Sequence, residues 1–171
     1  MIRLRELQMK DADGMLEWMH DPELMKNFRF DASSMTRQKV EAFIAESLID
    51  EVNKHFAVVD EDDEYLGTIS IKDIDPISKN GEYAIAMRKK AIGSGAALKG
   101  TKLILAKAFK EWDLEKVYLN VLTENRRAIR FYEKVGFLEE GQFKKHVLAH
   151  GSLRDLTWFA IFKEAYNDEG L

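Results

Sequence analysis

No cysteine occurs among the 171 residues, which removes disulfides, thiol nucleophiles, thiolate zinc sites and iron–sulfur clusters. Any catalysis must use other groups. No apolar run approaches the roughly 18 residues of a membrane span. The opening Met1-Ile2-Arg3-Leu4-Arg5-Glu6-Leu7-Gln8 alternates apolar and polar residues and carries charges where a signal peptide needs an apolar core. A cytoplasmic protein with no membrane partner is expected. Positive charge is also in short supply: 26 Lys and Arg stand against 30 Asp and Glu, for a formal net charge of -4. The surplus that non-specific phosphate-backbone binding requires is missing, so nucleic acid is not an expected partner. The 4 histidines show no metal-ligand spacing with one another, so no metal is expected.

What remains suffices for a core, with 46% hydrophobic residues, 10 Phe, 5 Tyr and 3 Trp. The length suits a single domain over residues 1–171. Alternation predicts a strand over 2–7, followed by a helix over 11–18 that the His20-Asp21-Pro22 segment breaks. Pro22 can open a new turn, and Phe28-Arg29-Phe30 reads as a loop. A helix is predicted over 39–49 behind Thr36 or Ser34 as N-cap. Strands over 55–60 and 65–74 make a hairpin around the acidic 61–64 turn, and a turn at 75–81 leads into a strand over 82–87. After the basic Arg88-Lys89-Lys90 and the Gly93-Ser94-Gly95 turn, one helix is predicted over 96–112, a strand over 117–122 and a helix over 125–135. Strands over 137–147 and 153–163 close the chain around His150-Gly151-Ser152. The order is that of an α/β fold.

Two segments carry chemistry. Gly93 and Gly95 stand between a strand and a helix whose first turn has free N–H groups, an arrangement that holds phosphates or serves as a tight connection. It is neither a Walker loop nor a complete GxGxxG, since Leu98 stands in place of the third glycine. Thirty positions after Gly95, Asn125-Arg126-Arg127-Ala128-Ile129-Arg130-Phe131-Tyr132-Glu133-Lys134-Val135-Gly136-Phe137 follows a strand. Here the chain resembles the GNAT superfamily of acetyl-CoA-dependent N-acetyltransferases, whose pattern of a strand, an Asn and A-x-x-x-Y-E-K-x-G-F falls on Asn125, Ala128, Tyr132, Glu133, Lys134, Gly136 and Phe137.

The resemblance implies the fold: a central mixed, largely antiparallel twisted sheet flanked by helices and splayed at a slot for acetyl-CoA. It places the pyrophosphate loop on Ile92, Gly93, Ser94, Gly95, Ala96 and Ala97, with Leu98 following. Gly95 and Ala97 match, whereas Ile92 replaces the usual Gln or Arg. The loop then relies on backbone N–H groups, with Arg88, Lys89 and Lys90 either at the surface or facing the phosphates. Met87 belongs to the strand that pairs with pantetheine. Asn125, Ala128 and Lys134 join the cofactor set. Tyr132 corresponds to the general acid that protonates the leaving thiolate, or packs on the helix face. Glu82 is the first candidate for the base, its alternative being an exposed edge carboxylate. Asn120 stands where ribosomal alanine N-acetyltransferases carry a glutamate, placed beside the cofactor to orient water or substrate.

Leu16-Glu17-Trp18-Met19-His20-Asp21-Pro22-Glu23 and Arg154-Asp155 are similar to the subgroup that acetylates ribosomal proteins, spermidine and nucleotide-sugar amines. The implied reaction is direct acetyl transfer in a ternary complex to a small-molecule or peptide primary amine: a polyamine, an amino sugar or a protein N-terminus. Glu17, Asp21, Asp31 and Glu41 are candidates to attract it. A homodimer through the late strands follows from the same analogy. A CoA-binding sensor and a protein-interaction domain are the alternatives to an enzyme.

Overall fold

The computed structural model describes residues 1–166. Seven strands form one sheet: β1 (Arg3–Glu6), β2 (Lys54–Val59), β3 (Tyr65–Asp75), β4 (Asn80–Met87), β5 (Lys116–Leu122), β6 (Leu138–Ala149) and β7 (Ser152–Phe162). Their order across the sheet is β1-β2-β3-β4-β5-β7-β6. Every neighbouring pair is antiparallel except β4 and β5. A parallel pair needs a crossover. Here it is helix α4 (Ala96–Ala106), continued by a wider π-helical turn over Lys107–Glu111.

Helices α1 (Ala12–Met19), α2 (Pro22–Met25) and α3 (Arg37–Ser47) cover one face of the sheet. Helices α4 and α5 (Arg126–Val135) cover the other. Side chains alternate along a strand, so β2 feeds both cores. Ala57 and Val59 join Met15, Trp18, Val40 and Ile44 on the first face. Val58 joins Ile69, Ile104, Leu105 and Phe109 on the second. β3 is buried from Tyr65 to Ile71 because both its faces are roofed. One polar chain crosses the first core: the Trp18 indole donates to the Tyr65 hydroxyl at 3.0 Å, which lies 2.6 Å from Thr68 Oγ1.

Two expectations are corrected. Asn80 and Gly81, expected in a turn, are the first residues of β4. The reversal is made earlier, by Asp75 accepting from the Ile77 and Ser78 N–H groups and by Lys79 at φ 55°. The single helix expected over 96–112 stays α-helical only to Ala106; it widens at Lys107 and Trp112 N–H bonds back to Lys107 O.

Candidate active site

The β4–β5 ladder is short. It pairs Asn80 with Lys116, Gly81 with Val117 and Glu82 with Tyr118, and then stops. β4 remains bonded to β3 as far as Met87, and β5 to β7 as far as Leu122. Each strand therefore keeps its outer neighbour while the two diverge. The opening runs between Tyr83–Met87 on one side and Leu119–Leu122 on the other, with backbone edges able to pair with an amide-bearing ligand.

At the end of β4 the chain turns through Lys89–Ala91 into the glycine loop. Gly93 has φ 84° and Gly95 φ 86°, a region that side chains disfavour. A Cβ at either position would meet no atom within 4 Å, so both face open space. The first helical hydrogen bond runs from Lys99 N–H to Gly95 O, which leaves the Ala97 and Leu98 N–H groups ahead of it as donors in the opening turn of α4. A phosphate fits this cradle. Ser94 serves the loop itself: its hydroxyl donates to Ala91 O at 2.5 Å and accepts from Ala96 N–H. Beyond the loop, burial and the nearby Lys99 and Lys134 ammonium groups hold Lys102 below the ordinary lysine pKa. An anion among these three relieves their repulsion. Lys134 was expected at the cofactor; Lys99 and Lys102 carried no motif to mark them.

The basic run, expected either at the surface or facing the phosphates, has two of its three side chains bonded to carboxylates. The Arg88 guanidinium bonds Glu17 at 2.6 and 3.0 Å, Glu64 at 3.1 Å and Tyr65 O at 2.9 Å. Lys90 bonds Glu64 at 2.5 Å. In this arrangement the Arg88 and Lys90 side chains are occupied by carboxylates. The carboxylates expected to attract a polycation are likewise engaged. Glu17 holds Arg88, Asp21 caps α2, Asp31 accepts from Ser33 N–H and Glu41 lies 3.9 Å from Arg37.

Helix α5 begins where Asn125 Oδ1 accepts from Ala128 N–H at 3.3 Å and ends at Gly136, whose φ of 115° lets Phe137 N–H turn back to Tyr132 O. That cap fixes Tyr132 between aromatic rings: Tyr83, Phe131, Phe137 and Phe159 have centroids 5.6–6.5 Å away. Its hydroxyl makes no hydrogen bond to a described residue. Burial pushes the phenol up to about 12. It is a proton donor held in its protonated form.

Glu82 lies on the opposite face of the same opening, since it precedes Tyr83 on β4. Its side chain is only 12% exposed and sits in the middle of the sheet, which sets aside the edge-carboxylate alternative. Asn120 Nδ2 donates to Glu82 Oε1 at 3.0 Å. Arg29 Nη2 lies 3.7 Å from Oε1 and Lys72 Nζ 3.8 Å from Oε2. Arg29 comes from the 26–30 loop, which is clasped by Asn125 Nδ2 on Asn27 O and by a 2.7 Å contact of His150 Nε2 with Phe28 O. Sequence reasoning read that loop as a connection only. It closes one side of a cavity of about 370 Å³ lined by Lys26, Leu122, Glu124, His150 and Arg154. Among the described residues, three buried polar atoms have no hydrogen-bond partner, namely Asn120 Oδ1, Trp158 Nε1 and Arg154 Nε; of these residues Arg154 lines the cavity. Among the described residues no group of three or more His, Asp or Glu is placed to hold a metal ion, and no helix is long and apolar enough to cross a membrane.

The geometry thus puts a protonated phenol on one face of the sheet and a carboxylate on the other, beside a gap between two strands with an open glycine loop at its mouth. A family model described as "Acetyltransferase (GNAT) domain" matches residues 2–138. An uncharacterized N-acetyltransferase p20 of Bacillus licheniformis is 26% identical over 168 residues, covering 96% of this chain and 94% of that protein. The spermidine N(1)-acetyltransferase of Escherichia coli K12 is 27% identical over 172 residues, covering 96% of this chain and 88% of that protein. In fold, the chain matches a crystal structure of spermidine N-acetyltransferase from Vibrio cholerae in complex with CoA and spermine. The TM-score is 0.88 at 23% identity, over 95% of this chain and 96% of that one.

Proposed function

Because the chain belongs to the GNAT acetyltransferase family and is an acetyl-CoA-dependent N-acetyltransferase, we propose that it moves the acetyl group directly to a primary amine in a ternary complex, with Glu82 as base and Tyr132 as acid. The observation that carries this reading is the splay of β4 from β5 beyond Glu82 and Tyr118, which gives the two groups access to one reacting centre from opposite faces.

Acetyl-CoA supplies a thioester whose carbonyl carbon an amine can attack. The Gly93–Leu98 cradle suits its pyrophosphate, Lys99, Lys102 and Lys134 suit further phosphate charge, and the open edges of β4 through Met87 suit the pantetheine amides. The amine must arrive neutral to act as a nucleophile. Glu82 takes the proton of the ammonium form, directly or through one water. As the new C–N bond forms and the C–S bond breaks, the Tyr132 hydroxyl gives its proton to sulfur; the acylated nitrogen then sheds its second proton through water to restore the phenol, and Glu82 releases the proton it took to solvent. An ordinary thiol has a pKa of about 8.5, well below the raised phenol. A thiolate leaving into the same desolvated space is itself pushed up, which narrows the gap. Holding both partners in the slot supplies the orientation that a bimolecular reaction lacks.

The acceptor in this reading is a small primary amine or a protein N-terminus. The spermidine acetyltransferases among the relatives support a polyamine as the first compound to try. The test follows free-thiol release from acetyl-CoA against polyamines, amino sugars and peptides with free N-termini, with the acetylated product quantified in parallel. Equal yields of thiol and N-acetyl product are expected with one class. Acetyl-CoA binding without release against every class would favour the sensor alternative.

A further inference from the structure

We propose that Asn120 is the positioning residue for the base: its carboxamide N–H fixes one oxygen of Glu82, and its carboxamide oxygen receives an N–H of the incoming amine. The inference rests on the assignment of Glu82 as base made above.

The orientation of the side chain follows from its partner. A carboxylate offers only acceptors, so the amide nitrogen must face Glu82 Oε1, as it does at 3.0 Å. The oxygen is thereby left over, and Asn120 Oδ1 is buried with no partner among the described residues. An unpaired buried acceptor destabilises the fold, because it gives up its bonds to water and gains none in return. A residue serving only to fill space would avoid that cost, because Leu has a similar volume and no polar atom. The cross-strand neighbour Trp158 has an unpaired indole N–H but does not bond it, so the orphan acceptor is accounted for if a ligand brings the donor.

Its place in the sheet says which ligand. Tyr118 is the last residue of β5 laddered to β4, through Glu82. Asn120 lies two residues further along β5 and so on the same face, at the first open stretch of the slot. Glu82 and Asn120 thus flank the point where an acceptor amine meets the thioester from the side away from Tyr132. Arg29 and Lys72 stand 3.7 and 3.8 Å from Glu82, beyond hydrogen-bond length, so Asn120 is what sets the direction of the carboxylate. A primary amine that has given one proton to Glu82 retains two N–H bonds, and one of them on Oδ1 turns the lone pair toward the slot. A neutral carboxamide also does this without the preference for a charged ammonium that a second carboxylate would have.

The experiment measures kcat, KM for each substrate and the pH dependence of kcat/KM for wild type, Asn120→Leu, Glu82→Gln, the double variant and Asn120→Asp, with thermal melting as the check on folding. Asn120→Leu is expected to lower kcat/KM for the amine by about 10- to 100-fold, as misplacing a catalytic group does. The KM for acetyl-CoA should stay within about twofold, and the double variant should be no slower than Glu82→Gln alone, the mark of two residues acting as a unit. Asn120→Asp, nearly isosteric, should move the acidic limb of the profile to higher pH, because two adjacent carboxylates share a proton. Independent, multiplying losses in the double variant would overturn the inference, as would a selective rise in the KM for acetyl-CoA or an unshifted limb in Asn120→Asp. Wild-type turnover by Glu82→Gln would instead remove the base assignment beneath it.

Discussion

Replacing Tyr132 by Phe removes one oxygen from a ring held on four sides by other aromatic rings. Because the hydroxyl has no hydrogen bond to a described residue, the fold loses nothing. The variant should melt within about 2 °C of wild type, the shift of roughly 0.5 kcal/mol expected where no hydrogen bond within the fold is lost. Catalysis loses its proton donor. General-acid assistance contributes about 10²–10⁴ in rate, equivalent to ~2.7–5.5 kcal/mol of barrier at 1.36 kcal/mol per decade. The phenol is raised to about 12, so its acid form persists as pH rises and Tyr132 should impose no falling limb on the wild-type profile below about pH 11. Rapid-quench single turnovers are the assay, since slow product release can mask a loss in chemistry. A Tyr132→Phe enzyme whose single-turnover rate stays within about threefold of wild type, against an expected loss of 10² or more, would refute the assignment of Tyr132 as the acid.

Other substitutions separate the parts of the account. Gly95→Ala, at φ 86° with open space beyond it, should cost about 1–2 kcal/mol of stability through backbone strain. It should also weaken acetyl-CoA binding about tenfold by placing a methyl group in the cradle, which calorimetry reads directly; a lower melting point with unchanged affinity would mean the phosphates bind elsewhere. Arg88→Met should leave acetyl-CoA affinity within about threefold, since the guanidinium serves Glu17 and Glu64, while lowering the melting temperature. A large loss of affinity would show that the Arg88 guanidinium serves the cofactor. Asp113 bridges Lys79 and Lys163, whose ammonium groups lower its pKa to about 2. A depressed carboxylate pKa stabilises the fold above the ordinary value and ceases to do so as pH falls through the folded one. Asp113→Asn should therefore be less stable than wild type at pH 7, with most of the gap closed at pH 2, by urea titration at both; a gap independent of pH would contradict the ion-pair account.

The sequence made the helices legible by their apolar spacing and the strands by short apolar or alternating runs between turn residues, and it marked Tyr132 and Asn125 because both lie inside one short local motif. It misplaced Asn80-Gly81 for a physical reason. That dipeptide suits a hairpin turn, but the Asp75 carboxylate and a left-handed Lys79 complete the reversal before it is reached. The widening of the helix at Lys107 leaves apolar spacing intact and so has no signature. What stayed hidden were partners far apart in the chain. Glu17 and Arg88 are separated by 71 positions and Glu82 and Asn120 by 38, and charge patterning along the chain cannot tell a solvated carboxylate from one that holds an arginine. The role of the 26–30 loop depends on hydrogen bonds to its backbone carbonyls from Asn125 and His150, groups that no side-chain motif records.

The most direct test of transfer through the β4–β5 slot is initial-rate kinetics with acetyl-CoA and the amine varied together, alongside the intact mass of the enzyme after incubation with acetyl-CoA alone. Direct attack in a ternary complex gives intersecting reciprocal plots and a protein that gains no acetyl group. Parallel plots together with a stoichiometric acetyl adduct would show that the protein itself carries the acetyl group between two half-reactions, and would contradict the mechanism.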